Sequence, residues 1–92
     1  VRNLKMIEKE VILTIGGTDF AFRVTTVAYN AYINELKPDS KVTPSIDFVR
    51  KALVDKKQRP ELDAFCDQGL AVDIAGKLVE TFRPEVEIVV KN

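Results

Sequence analysis

Apolar and polar positions alternate on both sides of a glycine pair near the start of the chain. In Glu10-Val-Ile-Leu-Thr-Ile-Gly-Gly-Thr-Asp-Phe-Ala-Phe-Arg-Val24, two runs rich in β-branched and aromatic residues flank Gly16 and Gly17. That is the pattern of a β-hairpin with a primed two-residue turn. With Ile15 facing Thr18, pairing back from the turn sets Leu13 against Phe20 and Val11 against Phe22 on one face. Thr14 with Asp19, Ile12 with Ala21 and Glu10 with Arg23 fall on the other. A slip of one residue turns both phenylalanines to the wrong side, so the pattern specifies its own register. It builds a scaffold and brings no chemistry with it.

Beyond the hairpin the apolar period changes from two to that of a helix. Thr25 or Thr26 can cap a first helix whose stripe is Tyr29, Tyr32, Ile33 and Leu36. Lys37 and Pro38 end it, because proline disfavours helix at the residue before it. Thr43 as cap and Pro44 at the first helical position start a second helix, ending near Val54 or Asp55. It buries Ile46, Val49 and Leu53, with Phe48 and Ala52 beside them. Pro60 opens a short third helix with Leu62, Phe65 and Cys66 inward, and Gly69 stops it in the left-handed conformation. The fourth runs from Leu70 to about Phe82, with Ala71, Ala75, Leu78 and Phe82 in line and Ile74 and Val79 adjoining.

Val86-Glu-Ile-Val-Val90 is β-branched and partly alternating, so it reads as a third strand. The order β-β-α-α-α-α-β gives an α+β domain. Its expected form is a three-stranded antiparallel or mixed sheet, the N-terminal hairpin plus the C-terminal strand, with about four helices packed on one face. Residues 1–9 are expected to be a flexible lead-in and residues 10–92 a single domain. Val86, Ile88 and Val90 would face the helices with Leu13, Phe20 and Phe22, leaving Ile12, Ala21 and Val89 on the opposite face.

Composition narrows the chemistry. Fourteen basic residues balance fourteen acidic ones, so no global field steers the chain toward nucleic acid or an anionic membrane. No apolar run approaches the ~20 residues that span a bilayer. There is no histidine, which removes the commonest general base and metal ligand together. Cys66 is alone, fits a reducing cytoplasm, and without a histidine to activate it is read as a small buried hydrophobe. Gly16 and Gly17 lack the strand–loop–helix context and the lysine of a phosphate loop. Asp63 and Asp67 share a helix face, but no other oxygens converge there to hold a hard cation. Arg50, Lys51, Lys56, Lys57 and Arg59 put five positive charges within ten residues. They are relieved by Asp55, Glu61 and Asp63 and have no interleaved aromatics on which bases would stack. The reading is of a protein that is not an enzyme and uses no cofactor or metal.

One resemblance gives this a direction. The run Val11-Ile-Leu-Thr-Ile-Gly-Gly-Thr-Asp-Phe-Ala-Phe-Arg-Val-Thr25 is similar to the opening of a family of phage tail assembly chaperones. So are Ala28-Tyr-Asn-Ala-Tyr-Ile-Asn-Glu-Leu36 with Lys41-Val-Thr-Pro44, and the ending Ala75-Gly-Lys-Leu-Val-Glu-Thr-Phe-Arg-Pro-Glu-Val-Glu-Ile-Val-Val-Lys-Asn92. The resemblance covers the chain from about residue 9, and departs from the family pattern between Lys56 and Cys66. It implies a phage or prophage protein of the host cytoplasm, absent from the finished virion. Such a protein binds the tape measure protein and helps recruit tail tube subunits around it.

The expected partner surface is Ile12, Ala21 and Val89 on the outer sheet face, with Tyr29 or Tyr32 at its margin. A third strand with Glu87 as its only central charge protects its edge thinly, so self-association is expected. The alternative is a small adaptor or nucleic-acid-binding regulatory protein using the basic face from Arg50 to Arg59.

Overall fold

The computed structural model describes residues 7–84 and 86–91. Strands β1 (Glu8–Ile15) and β2 (Thr18–Thr25) form an antiparallel hairpin in the register the alternation specifies. Leu13 stands opposite Phe20, Val11 opposite Phe22 and Ile12 opposite Ala21. Gly16 and Gly17 take φ of 57° and 85°, the left-handed pair that a type I′ turn requires. Glu8 and Lys9, which the expected lead-in included, belong to β1. Residues 1–6 lie outside the described residues, whereas β1 begins at Glu8, and Ile7 is tied down as well. Thr26 N donates to Ile7 O at 3.0 Å, and Ile7 N donates to Thr26 Oγ1 at 3.2 Å.

Thr25 proves to be the first cap: its Oγ1 accepts from Ala28 N at 3.0 Å, and α1 runs Thr26–Glu35. Helix α2 is Val42–Ala52, starting before the threonine-proline signal. A tight turn precedes it, with Lys37 and Ser40 exchanging backbone bonds at 3.1 Å. Lys41 O then accepts from both Ser45 N and Ser45 Oγ, at 3.2 and 2.7 Å. Pro44 therefore sits inside the first turn, where it still forfeits no bond.

The helix also stops early. Leu53 turns extended and bridges to Phe22, and Val54 N donates to Ala21 O at 3.0 Å. A short 3₁₀ turn, Lys56–Gln58, leads to α3 (Arg59–Phe65). A wide turn, Cys66–Leu70, continues without a loop into α4 (Ala71–Phe82). Gly69 takes the left-handed conformation expected of it, at φ 90°, and the chain kinks there between α3 and α4.

The expected third strand is absent from the sheet, which has the order β1-β2 alone. Residues 86–91 carry no regular structure, and Val86, Ile88 and Val90 are 66%, 88% and 81% exposed. At the outer edge of β2 the place is already taken. Leu53 and Val54 occupy it, and Gln58 Nε2 donates to Asp19 O there at 3.0 Å. The connector after α2 has taken the place a strand would need.

The helices cover one face of the hairpin, as the pattern requires. Val11, Phe20, Phe22 and Val24 are buried there against Phe48, Val49, Leu53, Leu62, Ile74, Ala75 and Leu78. Helix α1 buries only Tyr32, leaving Ile33 exposed and Tyr29 and Leu36 half-buried.

Candidate functional site

Cys66 is buried, and desolvation pushes its thiol above the usual range; the charge of Asp63 adds to this and Arg50 opposes it. Thiolate is the reactive form, so Cys66 is expected to resist a thiol reagent at pH 8 in the folded protein and to react at once in denaturant. Rapid labelling of the native chain, followed by absorbance, would place the sulfur at the surface.

The basic cluster is largely committed to the fold. Arg50 Nε donates to Asp63 Oδ1 at 2.8 Å, a bond that raises its pKa further, and Arg59 Nε lies 3.7 Å from Asp63 Oδ2. Lys56 Nζ donates to Arg50 O at 2.9 Å, satisfying a carbonyl at the end of α2. Arg50, Lys51, Lys56 and Arg59 do line a shallow depression, but Asp47 lies among them.

Two apolar surfaces adjoin the hairpin. On the outer sheet face Ile12 is 64% exposed and stands opposite Ala21. The neighbour of Ala21 across the edge is Val54, 41% exposed, so Ile12, Ala21 and Val54 form a row across the hairpin. Sequence reasoning had no signal for Val54, because it reads as the end of a helix. Around this row lie Glu10, Thr14, Asp19 and Arg23, with Thr14 Oγ1 donating to Asp19 Oδ1 at 2.6 Å. Arg23 reaches Glu8 and Glu10 at 3.7 and 3.9 Å.

The second is a cleft of about 300 Å³ where the ends of β1, α1 and α4 meet. Ile7, Lys9, Thr26, Tyr29, Phe82 and Pro84 are among its walls, and the Tyr29 and Phe82 rings lie 5.5 Å apart.

The structure therefore brings together only part of the surface expected from sequence. Ile12 and Ala21 are neighbours. Val89 is 71% exposed but lies on no sheet. Tyr29 lines the cleft with Lys9, which alternation puts on the face of β1 opposite to Ile12. Tyr32 is a core residue, stacked on Phe48 at 4.6 Å. Its hydroxyl donates to Ser45 Oγ at 3.1 Å, because the serine proton is already given to Lys41 O. Tyr32 also lines a depression of about 210 Å³ between α1 and α2.

Fold and surface thus define a small α+β domain that offers contact surfaces and keeps its one thiol inside. The chain belongs to the phage tail assembly chaperone family, whose family model matches residues 11–92. It is also 31% identical over 86 residues to a protein of Haemophilus phage HP1 (strain HP1c1), described as an uncharacterized 11.3 kDa protein in the lys 3′ region. That match covers 94% of this chain and 84% of that protein. No solved structure matches the chain. Among the described residues, no helix is long and apolar enough to cross a membrane. The family places the chain in the assembly of phage tails.

Proposed function

We propose that this chain binds apolar helical segments of the tape measure protein and helps recruit tail tube subunits around it. It acts as a non-enzymatic chaperone in the host cytoplasm, self-associates, and is left out of the finished virion. The observation that carries this reading is membership of the tail assembly chaperone family across residues 11–92. The surface that fits it best is the row of Ile12, Ala21 and Val54, with the cleft at Tyr29 as a second contact. A long helix with an apolar stripe docks through i, i+3 and i+4 anchors on such apolar ground. Charge cannot supply the affinity. The chain is neutral overall, and exposed ion pairs such as those of Arg23 are each worth only about 0–1 kcal/mol.

Two substitutions test the surface. Ile12→Lys and Val54→Glu change exposed side chains and leave the core intact. Each is expected to keep its circular dichroism and melting temperature while weakening co-purification with tape measure fragments at least about tenfold, the loss expected for one buried aliphatic anchor. Undiminished binding by both folded variants would remove this face from the account.

A further inference from the structure

Among the described residues, a sheet edge and a β-branched segment are both left without a partner. In a two-residue hairpin the pair that closes the turn exchanges backbone bonds, and such pairs alternate along an antiparallel ladder. Ile15 closes the turn with Thr18, so the peptide groups of Leu13 and Val11 face β2 and those of Thr14, Ile12 and Glu10 face outward. On β2 the same alternation turns Asp19 and Ala21 outward, and there Gln58 and Val54 bond their carbonyls. Those two bonds confirm the phase. On β1 no described residue bonds the outward groups of Glu10, Ile12 or Thr14. An open edge of this kind is a template for another strand.

We propose that residues 86–91 of one copy pair antiparallel with the β1 edge of a second copy, completing its sheet with a third strand. Setting Val89 opposite Ile12 fixes everything else. Lys91 then falls beside Glu10 and Glu87 beside Thr14 on the solvent face. Ile88, Val90 and Val86 fall beside Leu13, Val11 and Ile15 on the core face. Apolar residues meet apolar ones and opposite charges meet, the combination that stabilises cross-strand pairs. Parallel pairing at the same point would set Glu87 beside Glu10 instead, two like charges side by side.

The occupant is a second copy because the segment cannot reach this register on its own chain. Pro84 lines the cleft with Ile7 and Lys9, at the beginning of β1. The antiparallel register needs Val86 beside Ile15, about 20 Å farther along the strand from Lys9. The two peptide steps from Pro84 to Val86 cover at most about 7.6 Å. A two-fold arrangement makes the exchange reciprocal and closes it. It also restores Val89, from the second copy, to the row of Ile12, Ala21 and Val54. The inference rests on the self-association proposed above and supplies its contact.

Sedimentation over a concentration series tests it, with the full chain, the chain lacking residues 85–92, and Ile88→Asp. Because residues 86–91 stand outside the core, both variants are expected to fold, with a melt equal to that of the full chain at dilutions where it is monomeric. The full chain is expected to dimerise, the dissociation constant to rise about hundredfold in Ile88→Asp, tenfold or more for each of the two isoleucines buried, and the dimer to be lost without residues 85–92. In a Cys66→Ala background, Leu13→Cys chains mixed with Ile88→Cys chains are expected to form a disulfide-linked dimer on oxidation. A full chain that stays monomeric overturns self-association and this inference together. A dimer that persists undiminished without residues 85–92 overturns the strand exchange alone.

Discussion

Phe22→Ala is expected to destabilise the domain by about 3–5 kcal/mol, the cost of emptying a fully buried ring site. Phe22 has no exposed surface, stands 6.4 Å from the Phe20 ring, and faces Leu53 across the bridge that ends α2. The residue thus joins the hairpin to the connector that occupies the β2 edge. A domain of this size has only roughly 5–14 kcal/mol of stability in all. The variant therefore gives up a large share of that stability. Urea titration followed by circular dichroism measures the loss, with an unchanged slope showing that the unfolded state is the same. A loss well under about 1 kcal/mol would put the ring outside the core and the hairpin in another register.

Gly16→Ala is expected to cost about 3 kcal/mol and Gly17→Ala about 1–2 kcal/mol, although the two glycines are adjacent. Both have left-handed φ, at 57° and 85°, and that alone costs an alanine about 1–2 kcal/mol. The difference lies in what the new methyl meets. A Cβ on Gly16 would lie 2.6 Å from Phe65 Cζ and 2.9 Å from Phe65 Cε1, whereas one on Gly17 meets nothing within 4 Å. Phe65 cannot simply swing aside, because its edge packs on Phe20 at 6.2 Å and 88°. Thr18 Oγ1 also holds the turn against α3 by donating to Glu61 Oε2 at 2.8 Å. The excess cost of Gly16→Ala is expected to disappear in a Phe65→Ala background, a double-mutant cycle read by the same titration. Equal losses at the two glycines would mean that the turn stands free of α3.

Local pattern was enough for the hairpin. The alternation of Val11, Leu13, Phe20 and Phe22 fixes one register, and Gly16 and Gly17 supply the turn. It was enough as well for the inward faces of α2, α3 and α4, where Val49, Leu62, Ile74, Ala75 and Leu78 recur at helical spacing.

Whatever depended on who pairs with an edge was not legible. Leu53 and Val54 continue the apolar stripe of α2, and nothing local says that they leave the helix for the edge of β2. Once they do, that edge is closed to residues 86–90, and only the outer edge of β1 is left for a strand. The candidate surface divides in the same way. Ile12 and Ala21 follow from alternation, whereas Val54 enters the row only through tertiary pairing. Tyr29 and Tyr32, three apart on one helix, separate because the Tyr32 hydroxyl finds Ser45 and Tyr29 finds the rim at Phe82.

The surface chemistry also predicts how a client should respond to salt. Arg50 and Arg59 are held by Asp63, and Lys56 by the end of α2. The apolar row carries no charge of its own, so binding there should depend little on ionic strength. Phosphate recognition by the basic face would fall steeply as salt rises.

The most direct measurement is titration calorimetry of the purified chain with overlapping fragments of its phage's tape measure protein, at low and at moderate salt. Saturable binding to fragments bearing an apolar helical stripe is predicted, with a negative heat-capacity change from buried apolar surface and little loss on adding salt. The absence of binding to every fragment, or binding abolished by moderate salt, would contradict the account.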